Sequence, residues 1–205
     1  VRSILAPAEE VIAEQRKIPD GARGGPFEAV AELELARCYL KLGQGQEALT
    51  LYKGLEKKYD WLACVLHSEM GVAQVMMEKG SEAIEHFERA VELTTRAAME
   101  VLHETSARLL GEAYWAFWGT VDNLPIRQCQ NHAWLAGLRS MSGEMDRARS
   151  HLQQALHYLR SDELGATAPV LKTQFVQQLE RMFPVLAAEP EVQALRLEIG
   201  AAQGS

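Results

Sequence analysis

Apolar residues recur every three to four positions through most of the chain, the spacing of a helix with one buried face. Ile4, Leu5, Ala8, Val11 and Ile12, with Gln15, fall on roughly one face over residues 3–17. Residues 19–26 are rich in Gly and Pro and predict a loop. From residue 28 onward, helical patterns alternate with short Gly-containing breaks. Near the end, Val170, Leu171, Phe175, Val176, Leu179 and Phe183 share a face over 168–183, and Val192, Leu195 and Ile199 mark a last helix at about 190–199. No alternating apolar run is bounded by Asn-Gly or Asp-Gly turns, so no hairpin of strands competes. The pattern predicts an all-α protein.

The helical pattern repeats. Aligning Leu35-Ala36 with Met70-Gly71 brings every later landmark into register at an offset of 35: Gly45 with Gly80, Ala48 with Ala83, Tyr52 with Phe87, Leu55 with Ala90. Small residues at Ala36, Gly71, Ala48 and Ala83 let two helices cross closely, and Tyr52 and Phe87 fill the space between. Gly45 and Gly80 are expected to end the first helix of each pair in a left-handed conformation. Gln46-Glu47 and Ser81-Glu82 then open the second helix, where acidic groups suit the positive helix end.

Over residues 28–95 this arrangement resembles the tetratricopeptide repeat family. Leu35, Ala36, Tyr39, Ala48, Tyr52 and Leu55 match in the first repeat, and Met70, Gly71, Ala83, Phe87 and Ala90 in the second. The Pro that usually closes each repeat is missing, with Asp60 and Thr95 near its place, and so is the early Trp. The resemblance implies a right-handed α-α superhelix of about four helical hairpins with N- and C-terminal flanking helices. The expected organisation is a single domain over 1–205: an N-terminal helix (1–18), a loop (19–27), repeat one (28–60), repeat two (61–96), an irregular repeat three (97–142), repeat four (143–185), and a C-terminal cap and tail (186–205).

The third repeat carries two readings. Leu110-Gly111 and Tyr114 match a first helix that runs to a break at 119–125, where Pro125 cannot sit inside a helix. By residue match, Leu135-Ala136, Gly143, Ala148, Leu152 and Ala155 then form a complete hairpin of their own. By helix parity, 126–141 is instead the second helix of repeat three, and 144–160 with 168–183 make repeat four.

Composition narrows the function classes. The chain is 47% hydrophobic and carries a net charge of −7, which suits a folded protein and disfavours phosphate-driven nucleic-acid binding. No run of eighteen apolar residues predicts membrane insertion. Cys38, Cys64 and Cys129 are too widely spaced for a CxxC pair, and buried thiols in helices point weakly to a reducing, cytoplasmic setting. Val1-Arg2-Ser3 lacks both a Met and the apolar core of a signal peptide, and reads as the start of a piece of a longer protein.

The six histidines form no HExxH, and neither a GxSxG elbow nor a phosphate loop occurs, so no enzyme, cofactor or metal site is expected. The resemblance implies a protein or peptide partner held in a concave groove. Its positions fall on Leu33, Arg37, Leu40 and Lys41, on Ser68, Glu69, Val72 and Met76, and on Arg108, Leu109, Glu112 and Trp115. The positions that clamp a chaperone carboxylate in the family hold Leu33, Arg37, Glu69, Thr105 and Leu109 here, so that ligand is disfavoured. An amphipathic peptide suits the mixture better, with Trp115 as an anchor on the same face as Trp118. The alternatives are a self-assembling scaffold or homo-oligomer, and a ligand-sensing domain of a larger regulator.

Overall fold

The computed structural model describes residues 26–110 and 123–203. The expected N-terminal helix over 1–18 and most of the loop after it lie outside these residues, as does the stretch 111–122. Among the described residues there are ten α-helices and no strand. The chain divides into two compact units, 1–120 and 121–205, where a single domain was expected, and each is taken separately.

In the first unit, α1 (Pro26–Lys41) pairs with α2 (Gly45–Lys58), and α3 (Ala63–Met76) with α4 (Gly80–Leu93), the hairpins being joined by a 3-10 turn at Asp60–Leu62. Both hairpins close with the same bond: the amide of Gln44 donates to the Tyr39 carbonyl at 2.9 Å, and that of Lys79 to the Gln74 carbonyl at 3.0 Å. This satisfies a carbonyl that the helix end would leave without a partner. The left-handed residue in each turn is Gly43 (φ 77°) and Glu78 (φ 60°). The expectation at Gly45 and Gly80 is thereby corrected by two residues: both glycines open the following helix instead. Glu78 occupies its turn at a steric cost that Gly43 escapes, because only glycine lacks the Cβ that crowds this region.

Packing between the helices follows the small-residue logic. Ala36, Ala48, Tyr52, Ala83 and Phe87 are fully buried. The Phe87 ring lies so close to Gly71 that a Cβ added there would sit 2.8 Å from it. The fifth helix, α5 (Arg96–Leu110), departs from a regular stack. It packs on α1 and on the 3-10 turn, burying Met99 and Leu102; in a regular third layer its chief partners would be α3 and α4.

The second unit opens with α6 (Leu124–Met141), whose first turn is capped by the Asn123 side chain accepting from the Ile126 amide at 3.1 Å. Pro125 sits in that turn, where a missing amide costs nothing. α6 pairs along its length with α7 (Met145–Leu159). Their turn repeats the earlier geometry, with Gly143 at φ 79° and the Glu144 amide donating to the Arg139 carbonyl at 2.9 Å. The expected boundary between repeats at 142/143 therefore falls inside one hairpin. The pairing is the one the residue match proposed, because Ala136 and Ala148 supply the same close crossing. A 3-10 segment (Asp162–Thr167) leads to α8 (Ala168–Met182), a single turn α9 (Pro184–Ala187) and α10 (Pro190–Gln203). Their apolar faces join α6 and α7 in one core around Leu152, Leu156, Phe175, Leu179 and Leu186. Phe183 lies on Gly137, where an added Cβ would collide with its ring, and stands edge-on to Trp134 at 5.8 Å.

Three stability outcomes follow. Gly137→Ala forces the Phe183 ring to move and costs about 1–3 kcal/mol in a urea melt, and Gly71→Leu costs at least as much. Glu78→Gly relieves the left-handed strain and raises stability by roughly 0.5–1 kcal/mol; a neutral or negative change would count against the turn geometry.

Candidate functional site

One ion-pair node in the first unit joins three helices. Arg37 on α1 reaches across to Glu69 on α3, its Nε and Nη2 both donating to Oε1 at 2.9 and 2.8 Å. Its Nη1 donates to Glu34 at 2.8 Å. The Tyr52 hydroxyl on α2 donates to the other Glu69 oxygen at 3.4 Å. One carboxylate thus ties three helices together. The side chains are only 24% and 19% exposed, so the pair is poorly screened. Burial works against the Arg37 charge, but the Glu69 and Glu34 carboxylates outweigh it and raise its pKa. Burial, and then the Glu69 charge, push the Tyr52 phenol up as well. Both groups therefore stay protonated and remain donors.

The expected groove residues divide against this background. Arg37 and Glu69 meet, and they bind each other. Leu33 and Leu40 are buried. Lys41 is exposed at the last turn of α1, and Val72 is half-buried. Met76, one turn further along α3, is 42% exposed. Arg108 is exposed near the end of α5. The Leu109 side chain, Glu112 and Trp115 lie outside the described residues.

Sequence reasoning missed a second surface. A cleft of about 350 Å³ opens between the 3-10 turn, the start of α3, the end of α4 and the start of α5. Trp61, Ala63, Cys64, Leu93, Ala97 and Val101 give it an apolar lining, with Asp60 at its edge. Val101 is 50% exposed there. No local pattern marked this surface, because it depends on α5 packing against the 3-10 turn.

Sequence reasoning also set the histidines aside one by one, and the fold brings four of them together in pairs. His67 on α3 and His86 on α4 place their Nδ1 atoms 3.1 Å apart. His132 on α6 and His151 on α7 do the same at 3.0 Å. Ring centroids are 5.3 Å apart in both pairs. His67 Nε2 lies 3.0 Å from a Glu56 carboxylate oxygen, and His132 stacks on Tyr158. Burial lowers the pKa of His67 although Glu56 opposes it, and burial together with the neighbouring ring lowers that of His86. Burial, and then His151, bring His132 down to about 4.

No protein-family model, curated protein or solved structure matches the chain.

Two measurements probe these clusters. Arg37→Ala leaves a half-buried carboxylate with only the Tyr52 hydroxyl, and should cost about 1–3 kcal/mol. An Arg37→Met, Glu69→Leu double-mutant cycle should then give a coupling of roughly 1 kcal/mol; additive effects would mean that the pair stabilises nothing. For His132, the folded pKa lies below the unfolded value of about 6.5, so the unfolded chain binds more protons between the two. Stability is complete above about pH 6.5 and is lost as pH falls toward 4. Metal-free thermal melts across that window should show a flatter profile for His132→Gln than for the wild type.

Proposed function

We propose that the chain is a non-enzymatic interaction module, built on tetratricopeptide-like helical hairpins, that captures an amphipathic helix or peptide from a partner protein. Support comes first from the repeat itself: hairpins with the same turn bonds recur, with Ala36, Gly71 and Ala136 buried at one register and Tyr52, Phe87 and Leu152 buried at another, and such units present extended surfaces to peptides.

The observation that carries the reading is the apolar cleft beside Trp61. It combines an aromatic residue, small Ala floors and a half-exposed Val, a surface that water covers poorly and an apolar helix face covers well. Asp60 at its edge favours a Lys or Arg flanking the apolar stripe of the ligand. The groove face around Arg37 and Glu69 suits a partner less well, since a ligand there would compete with an ion pair already satisfied within the protein. Among the described residues, Lys41, Met76 and Arg108 are the exposed members of the expected groove.

Amphipathic helical peptides with one basic flank, selected from a displayed library against the full chain, should lose roughly tenfold or more in affinity on Trp61→Ala or Val101→Asp. Met141→Ala in the second unit should leave binding unchanged. Selected peptides that bind both cleft variants as tightly as the wild type would remove the cleft from the proposal. A loss on Lys41→Ala/Met76→Ala alone would transfer it to the groove face.

A further inference from the structure

The two histidine pairs occupy the same place in two hairpins. Shifting the α3/α4 hairpin by 65 residues lays Glu78 on Gly143, Lys79 on Glu144 and Gln74 on Arg139, so the turns coincide. In that register the identities are Cys64 with Cys129, His67 with His132, Met76 with Met141, Ala83 with Ala148, His86 with His151 and Ala90 with Ala155. The alanines are explained by the close helix crossing. The histidines are not, because the α1/α2 hairpin, with the same turn and crossing, carries Glu32 and Leu51 at the equivalent positions. The hairpin folds without imidazoles there, yet both of the others bring two into contact.

We propose that each pair, His67 with His86 and His132 with His151, is a two-imidazole chelating site for a divalent first-row transition metal ion, with zinc as the probe. The distances fit. An ion about 2.0–2.1 Å from two nitrogens 3.0–3.1 Å apart subtends roughly 90–100° at the metal, between the octahedral and tetrahedral angles. Protonation fits as well, since both rings of a pair would have to offer a lone pair and burial holds His67, His86 and His132 toward the neutral form. In the first pair the Glu56 carboxylate accepts from His67 Nε2 at 3.0 Å. That bond leaves the Nδ1 of the neutral ring as a lone pair facing His86, the carboxylate–histidine arrangement that orients metal ligands. Among the described residues no three His, Cys, Asp or Glu side chains converge on one point, so water completes the coordination. His67 keeps 15% of its side chain exposed for that purpose. With two protein ligands each, the sites stay open to exchange of metal with the solution.

The test is zinc titration of the full, metal-stripped chain by equilibrium dialysis at pH 7.5, with bound metal counted. Two ions per chain are expected for the wild type, one for His86→Ala or His151→Ala, and none for the double variant. Far-UV circular dichroism checks that each variant is folded. Should a variant unfold, long-range imidazole nitrogen spectra of the wild type decide the matter. Zinc should move the Nδ1 signals of His67, His86, His132 and His151 and leave those of His103 and His157 in place. Absence of any Nδ1 shift at saturating zinc, or a stoichiometry that folded variants do not change, overturns the proposal and leaves the pairs as neutral hydrogen bonds between rings.

Discussion

Close approach of paired helices, made possible where a small residue meets a large one, is the constraint on which the described structure depends. Gly71 under the Phe87 ring is the tightest case in the first unit, and Gly137 under Phe183 in the second. At the same register, Ala36 stands with Tyr52 and Ala136 with Leu152, all buried to within 2%. A ring laid on a bare Cα excludes water and leaves no void, and dispersion contacts are lost steeply once such surfaces separate. Everything that varies between the hairpins, including their charged and imidazole groups, is mounted on this crossing.

The crossing also decides where polar groups can go. Helices held this near place residues of adjacent strips within hydrogen-bond reach. The Glu69 carboxylate therefore collects Arg37 and Tyr52 from two other helices, and two imidazoles meet across each of the later hairpins. Such groups are held in fixed geometry by packing around them. The apolar cleft by Trp61 has the opposite origin. It exists because α5 packs toward α1 and the 3-10 turn, which sets Ala97 and Val101 beside Trp61 and the end of α4 at Leu93.

Much of this was legible beforehand because it is periodic. The spacing of Leu35, Ala36, Tyr52 and Leu55, and its recurrence at Met70, Gly71, Phe87 and Ala90, marked both hairpins of the first unit. Leu135-Ala136, Gly143 and Ala148 marked the α6/α7 pair against the competing argument from helix parity. That argument counted helices along the chain, whereas the long contact that α6 makes with α7 is set by the facing side chains. The site was far less legible. Arg37 and Glu69 were identified as residues offered to a partner, but side chains 32 positions apart can satisfy each other, and no local pattern reveals it. The histidines, judged singly or by spacing within one helix, gave no signal. Comparing the hairpins with each other at an offset of 65 would have given one, since Cys64-x2-His67 and His86 recur as Cys129-x2-His132 and His151.

By itself, then, the amino-acid sequence determined most of the helices and the crossings that set Ala36 by Tyr52, Gly71 by Phe87 and Ala136 by Leu152, each between residues 16 positions apart. Helical periodicity and glycine sterics act at that range and do not wait for the rest of the chain. Tertiary structure alone decided which helix follows which in packing, which charges are spent internally, where α5 returns, and that the histidines stand in pairs. Those outcomes depend on distances across helices, which are set by how whole faces fit together and not by any one segment.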